Sequence, residues 1–231
     1  MIMLRSRLIP VLVLSGDALI KTVKFKPDVY LGDPLNAVRT FNEMCVDEIV
    51  ILDIDVSKNK LEPNYRLLER VAAECQIPLC YGGGITDSRQ VERLVGLGVE
   101  KVSINSSSLT HPDLLLDSAQ IVGAQSVVLS IDLKLRGFFN SSLGIYRHAT
   151  GDFSPNSIPN HLASFHPGSY GEVLLQFVDR DGTLSGYDVV NIEPILPLIS
   201  TPVTIVGGAS SLDDVSLISS KFGPLGCAAS S

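Results

Sequence analysis

The sequence predicts a (β/α)8 TIM barrel made of two half-barrel repeats, and three observations predict it. Short apolar runs alternate with segments of helical spacing along the 231 residues, as in consecutive parallel βαβ units. Glycine clusters directly follow two of these runs. Landmarks in the first part of the chain recur 124 or 125 residues later. We therefore expect one domain, with half-barrels at about 1–123 and 124–231.

The predicted strands are short runs that are apolar on both faces, as buried parallel strands are. They span 8–14, 48–54, 77–81, 101–104, 126–131, 172–178, 203–206 and 226–229. The predicted helices span 34–44, 63–75, 88–97, 112–122 and 211–220. Asp33 and Asp87 are placed to cap helix starts, and Gly98 and Gly123 are placed to end helices. Residues 133–169 predict a long, partly hairpin-like loop followed by a short or irregular helix.

The composition is that of a globular protein with a large core, since 45% of the residues are hydrophobic and 19% are charged. The net charge of -7 argues against nucleic acid as a partner. No run approaches the roughly 20 apolar residues of a membrane span, so we expect no membrane partner. The four cysteines and four histidines lack metal-ligand spacing. We expect a cytoplasmic protein with reduced thiols and no metal or cofactor.

The glycine clusters are the first candidates for a binding site. Gly82, Gly83 and Gly84 follow one predicted strand, and Gly207 and Gly208 follow another. Glycine lets a backbone approach a ligand closely, and a helix start offers free N–H groups to a phosphate. The next strand of each half ends in small residues, namely Asn105 and Ser106, and Ala229 and Ser230. Two such loops predict a ligand with a phosphate at each end; the alternative is a tight turn in each half.

Carboxylates follow several predicted strands, where the catalytic residues of barrels lie. Asp132 and Asp181 are the candidates for acid–base catalysis, and Asp53 and Asp179 are candidates for the substrate pocket. The alternative for each is an aspartate that caps a loop or forms an ion pair. Lys21, placed in the first loop, is predicted either to contact a phosphate or to be solvated.

Four charged residues stand at or near the starts of predicted strands, and they would gather at the N-terminal end of a barrel. They are Arg7, Glu48, Lys101 and Glu172. Two basic and two acidic groups in one place predict a ring of ion pairs. The ring is either a structural plug or a gate to a central passage.

A set of motifs carries a resemblance to a known family. They are Arg7-Leu8-Ile9-Pro10, Gly32-Asp33-Pro34, Asp47-Glu48, Leu52-Asp53-Ile54, Gly82-Gly83-Gly84-Ile85, Lys101-Val102-Ser103-Ile104-Asn105, Ser130-Ile131-Asp132, Asp179-Arg180-Asp181-Gly182-Thr183 and Gly186-Tyr187-Asp188. On these motifs, which cover essentially the whole chain, it resembles the HisF family. Members of that family are the cyclase subunits of imidazole glycerol phosphate synthase, a lyase-type enzyme of histidine biosynthesis.

The resemblance implies a HisH-type glutaminase partner that releases ammonia, which then travels through the barrel. It implies a bisphosphorylated ribulosyl-ribonucleotide as the small molecule that is converted, with closure of an imidazole ring. In that family two aspartates, at the ends of strands one and five, carry out acid–base catalysis, and the second corresponds to Asp132. The four charged residues at the strand starts resemble the family's ammonia gate.

The chain departs from the family pattern in three places. Val13 stands where the strand-one aspartate is expected, and valine cannot transfer a proton. Gln176 and Phe177 replace a Thr-Ser pair, which changes the pocket wall. The chain also stops at Ser231, before the family's final helix. We expect either a truncated chain or a barrel that is partly uncovered.

Two segments, 19–25 and 30–38, resemble a side branch of the family that is associated with amidation of surface-polysaccharide sugars. In that branch the barrel passes ammonia to a separate sugar-amidating enzyme. The sequence therefore leaves two main hypotheses, an active imidazole-forming cyclase subunit and a cyclase-deficient ammonia conduit. A sugar-phosphate isomerase on the same half-barrel plan is a weaker third, because its chemistry also requires two carboxylates.

Overall fold

In a computed structural model of the chain, which describes residues 5–137 and 142–230, parallel strands close into a barrel. The strands are β1 (Arg7–Ser15), β2 (Ala18–Val23), β3 (Lys26–Gly32), β4 (Ile49–Asp53), β5 (Leu79–Gly82), β6 (Lys101–Ile104), β7 (Val127–Arg136), β8 (Ser142–Arg147), β9 (Asp152–Phe153), β10 (Glu172–Phe177), β11 (Val203–Val206) and β12 (Gly226–Ser230). The helices are α1 (Pro34–Glu43), α2 (Ile54–Asn59), α3 (Tyr65–Glu74), α4 (Ser88–Gly96), α5 (Asp113–Val122), α6 (Ile158–Ala163), α7 (Val189–Ile192) and α8 (Leu212–Phe222). Among the described residues, no helix combines the length and the apolarity needed to cross a membrane.

The barrel consists of β1, β4, β5, β6, β7, β10, β11 and β12, each parallel to the next. The sheet closes because β10 pairs with both β7 and β11, while β12 pairs with both β11 and β1. This confirms the predicted (β/α)8 barrel. β1 and β7 are four strands apart in either direction around the barrel, so they stand on opposite sides of its lumen.

Two apolar layers stabilise the barrel, because successive side chains of a strand point to opposite faces. Outward-facing strand residues pack against the helices in one large core. Inward-facing residues form a second cluster that fills the lumen, namely Ile9, Val11, Val50, Leu52, Cys80, Val128, Leu174, Val206 and Ala228. The lumen is therefore mainly apolar between its two ends, apart from the buried hydroxyls of Ser103 and Ser130.

The first loop of the barrel is folded, contrary to the prediction. It forms an antiparallel hairpin of β2 and β3, so Lys21 lies in a strand and not in a loop. Lys24 and Phe25 form the turn with positive φ of 52° and 64°. Such two-residue turns usually contain asparagine or glycine. Neither residue type is present at this turn, so the hairpin could not be predicted from the sequence.

The region 133–169 contains more regular structure than the sequence predicted. β7 continues to Arg136, where we expected a loop from Leu133 onwards, because β8 pairs with it in an antiparallel hairpin. The short strand β9 and the helix α6 follow, which confirms the hairpin-like loop and the short helix. The predicted loop residues Asn140 and Ser141 lie outside the described residues.

The helix ends are set by caps that the sequence largely predicted. Asp33 caps α1, and its carboxylate accepts from the backbone N–H of Leu35 at 2.7 Å. Asp87 caps α4 within a capping box. A second capping box, which the sequence did not predict, begins α8 at Ser211. The two boxes lie 124 residues apart, which is the period of the internal repeat.

Candidate active site

An ion-pair ring closes the N-terminal end of the barrel. It is composed of Arg7, Glu48, Lys101 and Glu172. The Arg7 guanidinium lies 2.7 Å from Glu48 Oε2 and 2.5 Å from Glu172 Oε1. The Lys101 Nζ lies 2.7 Å from Glu48 Oε2 and 2.8 Å from Glu172 Oε2. The Thr204 hydroxyl donates to Glu172 Oε1 at 2.5 Å. Each cation thus bridges both carboxylates, and the ring is continuous.

Burial and ion pairing act in opposite directions on the ion-pair ring. Burial raises the pKa of Glu48 and outweighs the opposing effect of Lys101. Burial also acts to raise the pKa of Glu172, but the Arg7 hydrogen bond and the Lys101 charge lower it overall. Both carboxylates are at most 6% exposed. Removing one cation therefore leaves a buried negative charge that is only partly compensated.

The C-terminal end of the lumen contains a buried carboxylate that is incompletely paired. Asp132 lies on β7 and is 5% exposed, and its Oδ1 has no hydrogen-bond partner among the described residues. Burial raises the pKa of Asp132 to about 7, while a hydrogen bond with Asn105 lowers it and the Asp181 charge raises it. A carboxyl group that titrates near neutral pH can both accept and return a proton.

The surroundings of Asp132 are an amide on one side and an apolar residue across the lumen. Gln176 on β10 is its register partner and is 6% exposed. Val13 continues the inward-facing series of β1, which stands opposite β7, and is 7% exposed. The structure therefore places an isopropyl group in the first half where the second half has a carboxylate.

The two glycine loops at this end are built alike. Gly83 and Gly207 both have positive φ, of 151° and 110°. A Cβ on Gly83 would lie 2.6 Å from the carbonyl oxygen of Asp53, and one on Gly207 would lie 2.7 Å from that of Phe177. Both positions therefore require glycine, for conformation and for space. The same geometry also suits tight turns between strand and helix.

The other loop glycines pack against their own half of the barrel. The Gly84 N–H donates to Ser57 Oγ at 2.8 Å, and the Gly208 carbonyl accepts from the Gly186 N–H at 2.7 Å. Gly82 is buried, and a Cβ there would lie 3.0 Å from Ser103 Cβ. These contacts position the loops without a ligand.

The helices that follow the glycine loops are capped by the protein's own side chains. Gln90 Oε1 accepts from the N–H groups of Thr86 and Asp87 at 2.8 and 3.2 Å. Asp214 Oδ2 accepts from the N–H groups of Ser210 and Ser211 at 2.8 and 3.1 Å. A phosphate at either loop must therefore use other donors at the strand ends.

The small residues at the next strand ends differ in their contacts. Asn105 precedes a 3-10 turn that begins at the exposed Ser106, and its side chain acts to lower the pKa of Asp132. Ala229 is exposed at the end of β12. Ser230 donates to Asp181 Oδ1 at 2.7 Å. The hydroxyl of the second half is therefore held by a carboxylate of its own protein.

Three of the predicted carboxylates organise loops at the C-terminal end. Asp53 caps α2 by accepting from the Asp55 and Val56 N–H groups at 3.1 and 3.3 Å, and burial raises its pKa to about 6. Asp179 Oδ2 accepts from the Leu135 N–H at 2.9 Å. Asp181 is fully buried, and its side chain accepts hydrogen bonds from Thr22 on β2, Phe25 in the hairpin turn and Ser230 on β12. Lys21 lies on β2, opposite Val29 of β3.

Sequence reasoning missed two residues that these contacts depend on, Thr22 and Ser57. The Thr22 hydroxyl donates to Asp181 Oδ2 at 2.8 Å across a separation of 159 residues. Ser57 contacts Gly84, which is 27 residues away. The only available signal was the repeat itself, because Ser57 and Asp181 lie 124 residues apart.

The carboxylates and glycine loops lie at the C-terminal ends of the barrel strands. The functional residues of (β/α)8 barrel enzymes lie at this same face. A family model described as "Histidine biosynthesis protein" matches residues 7–226. The chain belongs to this family and, within it, to the HisF subunits of imidazole glycerol phosphate synthase.

Three relatives illustrate the similarity. A Vibrio vulnificus (strain YJ016) protein is 44% identical over 99% of this chain and 88% of its own length. It is provisionally named as the hisF3 subunit of imidazole glycerol phosphate synthase. A Leptospira borgpetersenii protein, provisionally named as HisF, is 42% identical over 99% of this chain and 90% of its own length. The HisF subunit of Streptococcus sanguinis (strain SK36) is 32% identical over the same shares, 99% and 90%.

Proposed function

We propose that this chain is the ammonia-conducting barrel of a glutaminase pair and that it does not itself close an imidazole ring efficiently. A HisH-type glutaminase docks on the N-terminal face and delivers ammonia through the ion-pair ring. The two glycine loops hold a bisphosphorylated small molecule at the C-terminal face. The acceptor of the ammonia is a separate sugar-amidating enzyme.

The observation that carries this proposal is the pair formed by Val13 and Asp132. Both lie on the first strand of their half and face the lumen from opposite sides. Ring closure by two carboxylates, as the family resemblance implies, needs a proton donor or acceptor at both positions. Loss of one general acid or base lowers a rate by about 10²–10⁴-fold. Val13 has no titratable group, so the proposed consequence is a strongly reduced cyclase activity.

The proposed route for ammonia runs along the axis of the barrel. Between the ion-pair ring and the level of Asp132 the lumen is lined mainly by apolar side chains, with the small hydroxyls of Ser103 and Ser130 among them. A charged ammonium ion is strongly disfavoured in such surroundings, whereas neutral ammonia is not. These properties support a conduit for the neutral molecule.

The proposed docking surface for the glutaminase surrounds the ion-pair ring. A groove of about 630 Å³ lies beside Lys101. Its lining comprises Val95, Gly98, Val99, Glu100, Lys101, Gln125 and Ser126. The groove places Lys101 at a surface that another chain can contact, and this supports an entrance at the N-terminal face.

The relatives are in line with the side-branch interpretation. The Vibrio and Leptospira proteins at 44% and 42% identity have only provisional synthase names, whereas the plainly named Streptococcus HisF is 32% identical. The chain is thus more similar to these proteins than to that synthase subunit.

An active cyclase is the second candidate function, and Asp132 favours it. The unpaired Oδ1 and the pKa near 7 suit a single acid–base group. Both glycine loops retain the backbone conformation that the predicted phosphate sites require. In this alternative, Asp132 alone transfers the protons, and the amides of Asn105 and Gln176 orient the substrate.

Turnover of the bisphosphorylated ribulosyl-ribonucleotide with ammonium chloride distinguishes the two functions. We expect background release of the aminoimidazole ribonucleotide by the unmodified chain. Val13→Asp is expected to raise the rate at least tenfold, since it restores the second carboxyl group. Val13→Asn is the matched control, because it is similar in size but cannot transfer a proton.

Efficient turnover by the unmodified chain would contradict the conduit proposal. Absence of turnover in the unmodified chain and in Val13→Asp, together with stable binding of a HisH-type glutaminase, would exclude the cyclase alternative. Equal rates for Val13→Asp and Val13→Asn would show that the lumen position acts by shape and not by proton transfer.

A further inference from the structure

The β2–β3 hairpin exposes a run of three apolar side chains. Val29, Tyr30 and Leu31 are 52%, 69% and 50% exposed. The other exposed large apolar residues of the described chain stand singly, since no two of them are adjacent in sequence. Single exposed apolar residues are common on protein surfaces, whereas a contiguous run marks a site of interaction. The run therefore indicates a surface that another molecule covers.

The strand that contains this run is an edge strand. β3 pairs with β2 and with no other described strand. Leu31 has no register partner on β2, because the pairing shifts between Tyr30 and Gly32. Such a bulge re-aims a side chain and makes the edge a poor template for a further strand. The run is therefore suited to insertion of its side chains into a pocket of a partner, and not to strand pairing.

The surroundings of the run are basic, although the chain as a whole has a net charge of -7. Residues 18–32 contain three lysines and one aspartate, which gives this segment a net charge of +2. Lys21 lies opposite Val29 in the hairpin. Lys24 and Lys26, at the turn, are exposed. The apolar run is therefore bordered by positive charge.

A fourth lysine extends this basic region to the neighbouring loop of the mouth. The ring of His148 packs edge-to-face on Phe25 at the hairpin turn, with centroids 5.5 Å apart. Burial and the charge of Lys58 both lower the pKa of His148, so Lys58 on α2 lies near the same turn. None of these four lysines forms an ion pair with a described side chain. Their charges are therefore complementary to a partner with acidic groups.

The hairpin stands at the end of the lumen where the proposed ammonia route emerges. The N–H of Lys24 donates to the Asp181 carbonyl at 3.0 Å, so the turn reaches the loop after β10. The apolar run lies on the adjoining strand, on the rim of the C-terminal mouth. A partner that covers the run is therefore placed beside the exit. Ammonia can then reach this partner without first being protonated in bulk water.

We propose that a rim patch on this hairpin is the docking surface for the enzyme that accepts the ammonia, an inference that rests on the proposed conduit function. The rim patch comprises Val29, Tyr30, Leu31, Lys21, Lys24, Lys26 and Lys58. The partner presents an apolar pocket bordered by acidic side chains, since interfaces combine an apolar centre with a polar rim of complementary charge. Tyr30 is the anchor, because it is the most exposed of the three apolar residues and tyrosine is enriched among the residues that dominate affinity.

Binding of a purified sugar-amidating enzyme to the full chain, measured by isothermal titration calorimetry, tests the rim patch. Tyr30→Ala is expected to weaken binding about tenfold or more, whereas Tyr30→Phe retains the ring and is expected to bind normally. Leu217→Ala on α8 is the control, because Leu217 is 52% exposed but lies outside the rim patch. Binding of a HisH-type glutaminase at the opposite end is expected to stay unchanged in all three variants, which verifies that they are folded.

Charge reversal tests the lysines of the rim patch. Lys26→Glu is expected to slow association with the same enzyme severalfold at low salt and much less at high salt, because exposed charges act mainly on the encounter of two proteins. Arg70→Glu on α3 is the matched control, since it makes the same change of charge at an exposed site on the flank of the barrel. Equal slowing by both variants would show that only net charge matters and would overturn the role of the lysines.

The remaining outcomes separate the rim patch from the proposed function. Equal affinity of Tyr30→Ala and the unmodified chain would overturn the rim patch and leave the conduit intact. Absence of binding by the unmodified chain, while the glutaminase still binds, would overturn both the docking surface and the sugar-amidating acceptor. A dimer of the chain alone in sedimentation velocity, dissociated by Tyr30→Ala, would identify a second copy as the occupant and would also overturn the proposal.

Discussion

The two halves of the barrel share a backbone plan but differ in chemistry. Gly83 and Gly207 approach a neighbouring carbonyl oxygen equally closely. A Cβ would lie 2.6 Å from that oxygen at Gly83 and 2.7 Å from it at Gly207. The helices after both loops begin with capping boxes. The lumen positions differ, since Val13 faces Asp132. Main-chain geometry is therefore retained where the fold needs it, whereas the side chains that define the chemistry vary.

A second pair of positions shows the same contrast. Ser57 and Asp181 are 124 residues apart and occupy corresponding places after β4 and β10. Ser57 accepts a hydrogen bond from the Gly84 N–H of its own glycine loop. Asp181 instead accepts from Thr22 and Phe25 of the hairpin. The hairpin of the first half is therefore fixed by a carboxylate of the second.

The largest expected effect tests whether the two glycine loops are equivalent. Gly83→Ala and Gly207→Ala should each lower the free energy of unfolding by about 3 kcal/mol or more, because a side chain there combines strain with a clash against backbone. Gly96→Ala at the end of α4 is the control, since nothing lies within 4 Å of its Cβ position. Urea unfolding measures all three. A large difference between the first two variants would break the equivalence.

The next effect concerns the ion-pair ring, to which both halves of the barrel contribute residues. Lys101→Ala should lower the free energy of unfolding by about 2–3 kcal/mol, because Glu48 and Glu172 lose a shared cation. It should also weaken coupling to a glutaminase while phosphate binding at the opposite end stays unchanged. Lys58→Ala on α2 is the exposed control. Unchanged coupling in a glutaminase-dependent assay would count against the gate.

A smaller effect depends on pH. The folded-state pKa of Asp132, about 7, lies above the unfolded value of about 4. The folded state therefore binds the extra proton between these values, and stability falls as pH rises through this range. Asp132→Asn should remove that loss and gain about 1–2 kcal/mol at pH 8 but less at pH 5. Urea unfolding of this variant and of the exposed Asp117→Asn checks it; an equal gain at both pH values would contradict the burial of a charge.

The smallest effect concerns the strained turn. Lys24→Gly should raise the free energy of unfolding by about 0.5 kcal/mol, since glycine accepts positive φ but loses more entropy on folding. Urea unfolding is again the measurement. A loss of stability would mean that the turn is not strained and would weaken the need for the Asp181 contacts.

The barrel and its repeat could be predicted from the sequence because they are local patterns. Buried strands, helix caps and glycine clusters each occupy a few adjacent residues. The β2–β3 hairpin could not, since Lys24 and Phe25 are atypical turn residues that long-range contacts hold in place. The engagement of Asp181 could not be predicted for the same reason, because its partners Thr22 and Ser230 come from the two ends of the chain. Tertiary contacts decide such positions, and one sequence does not reveal them.

At the C-terminal end of the lumen, β7 contributes a buried carboxyl group, that of Asp132, whereas β1 contributes none. A ¹³C NMR titration of the aspartate carboxyl groups tests it most directly, with the Asp132 signal assigned by its absence in Asp132→Asn. We predict that Asp132 titrates near pH 7. We also predict a second, coupled titration when Val13→Asp adds a carboxyl across the lumen. Titration of Asp132 near its ordinary value of about 4 would contradict this prediction, because the group would then be solvated or paired.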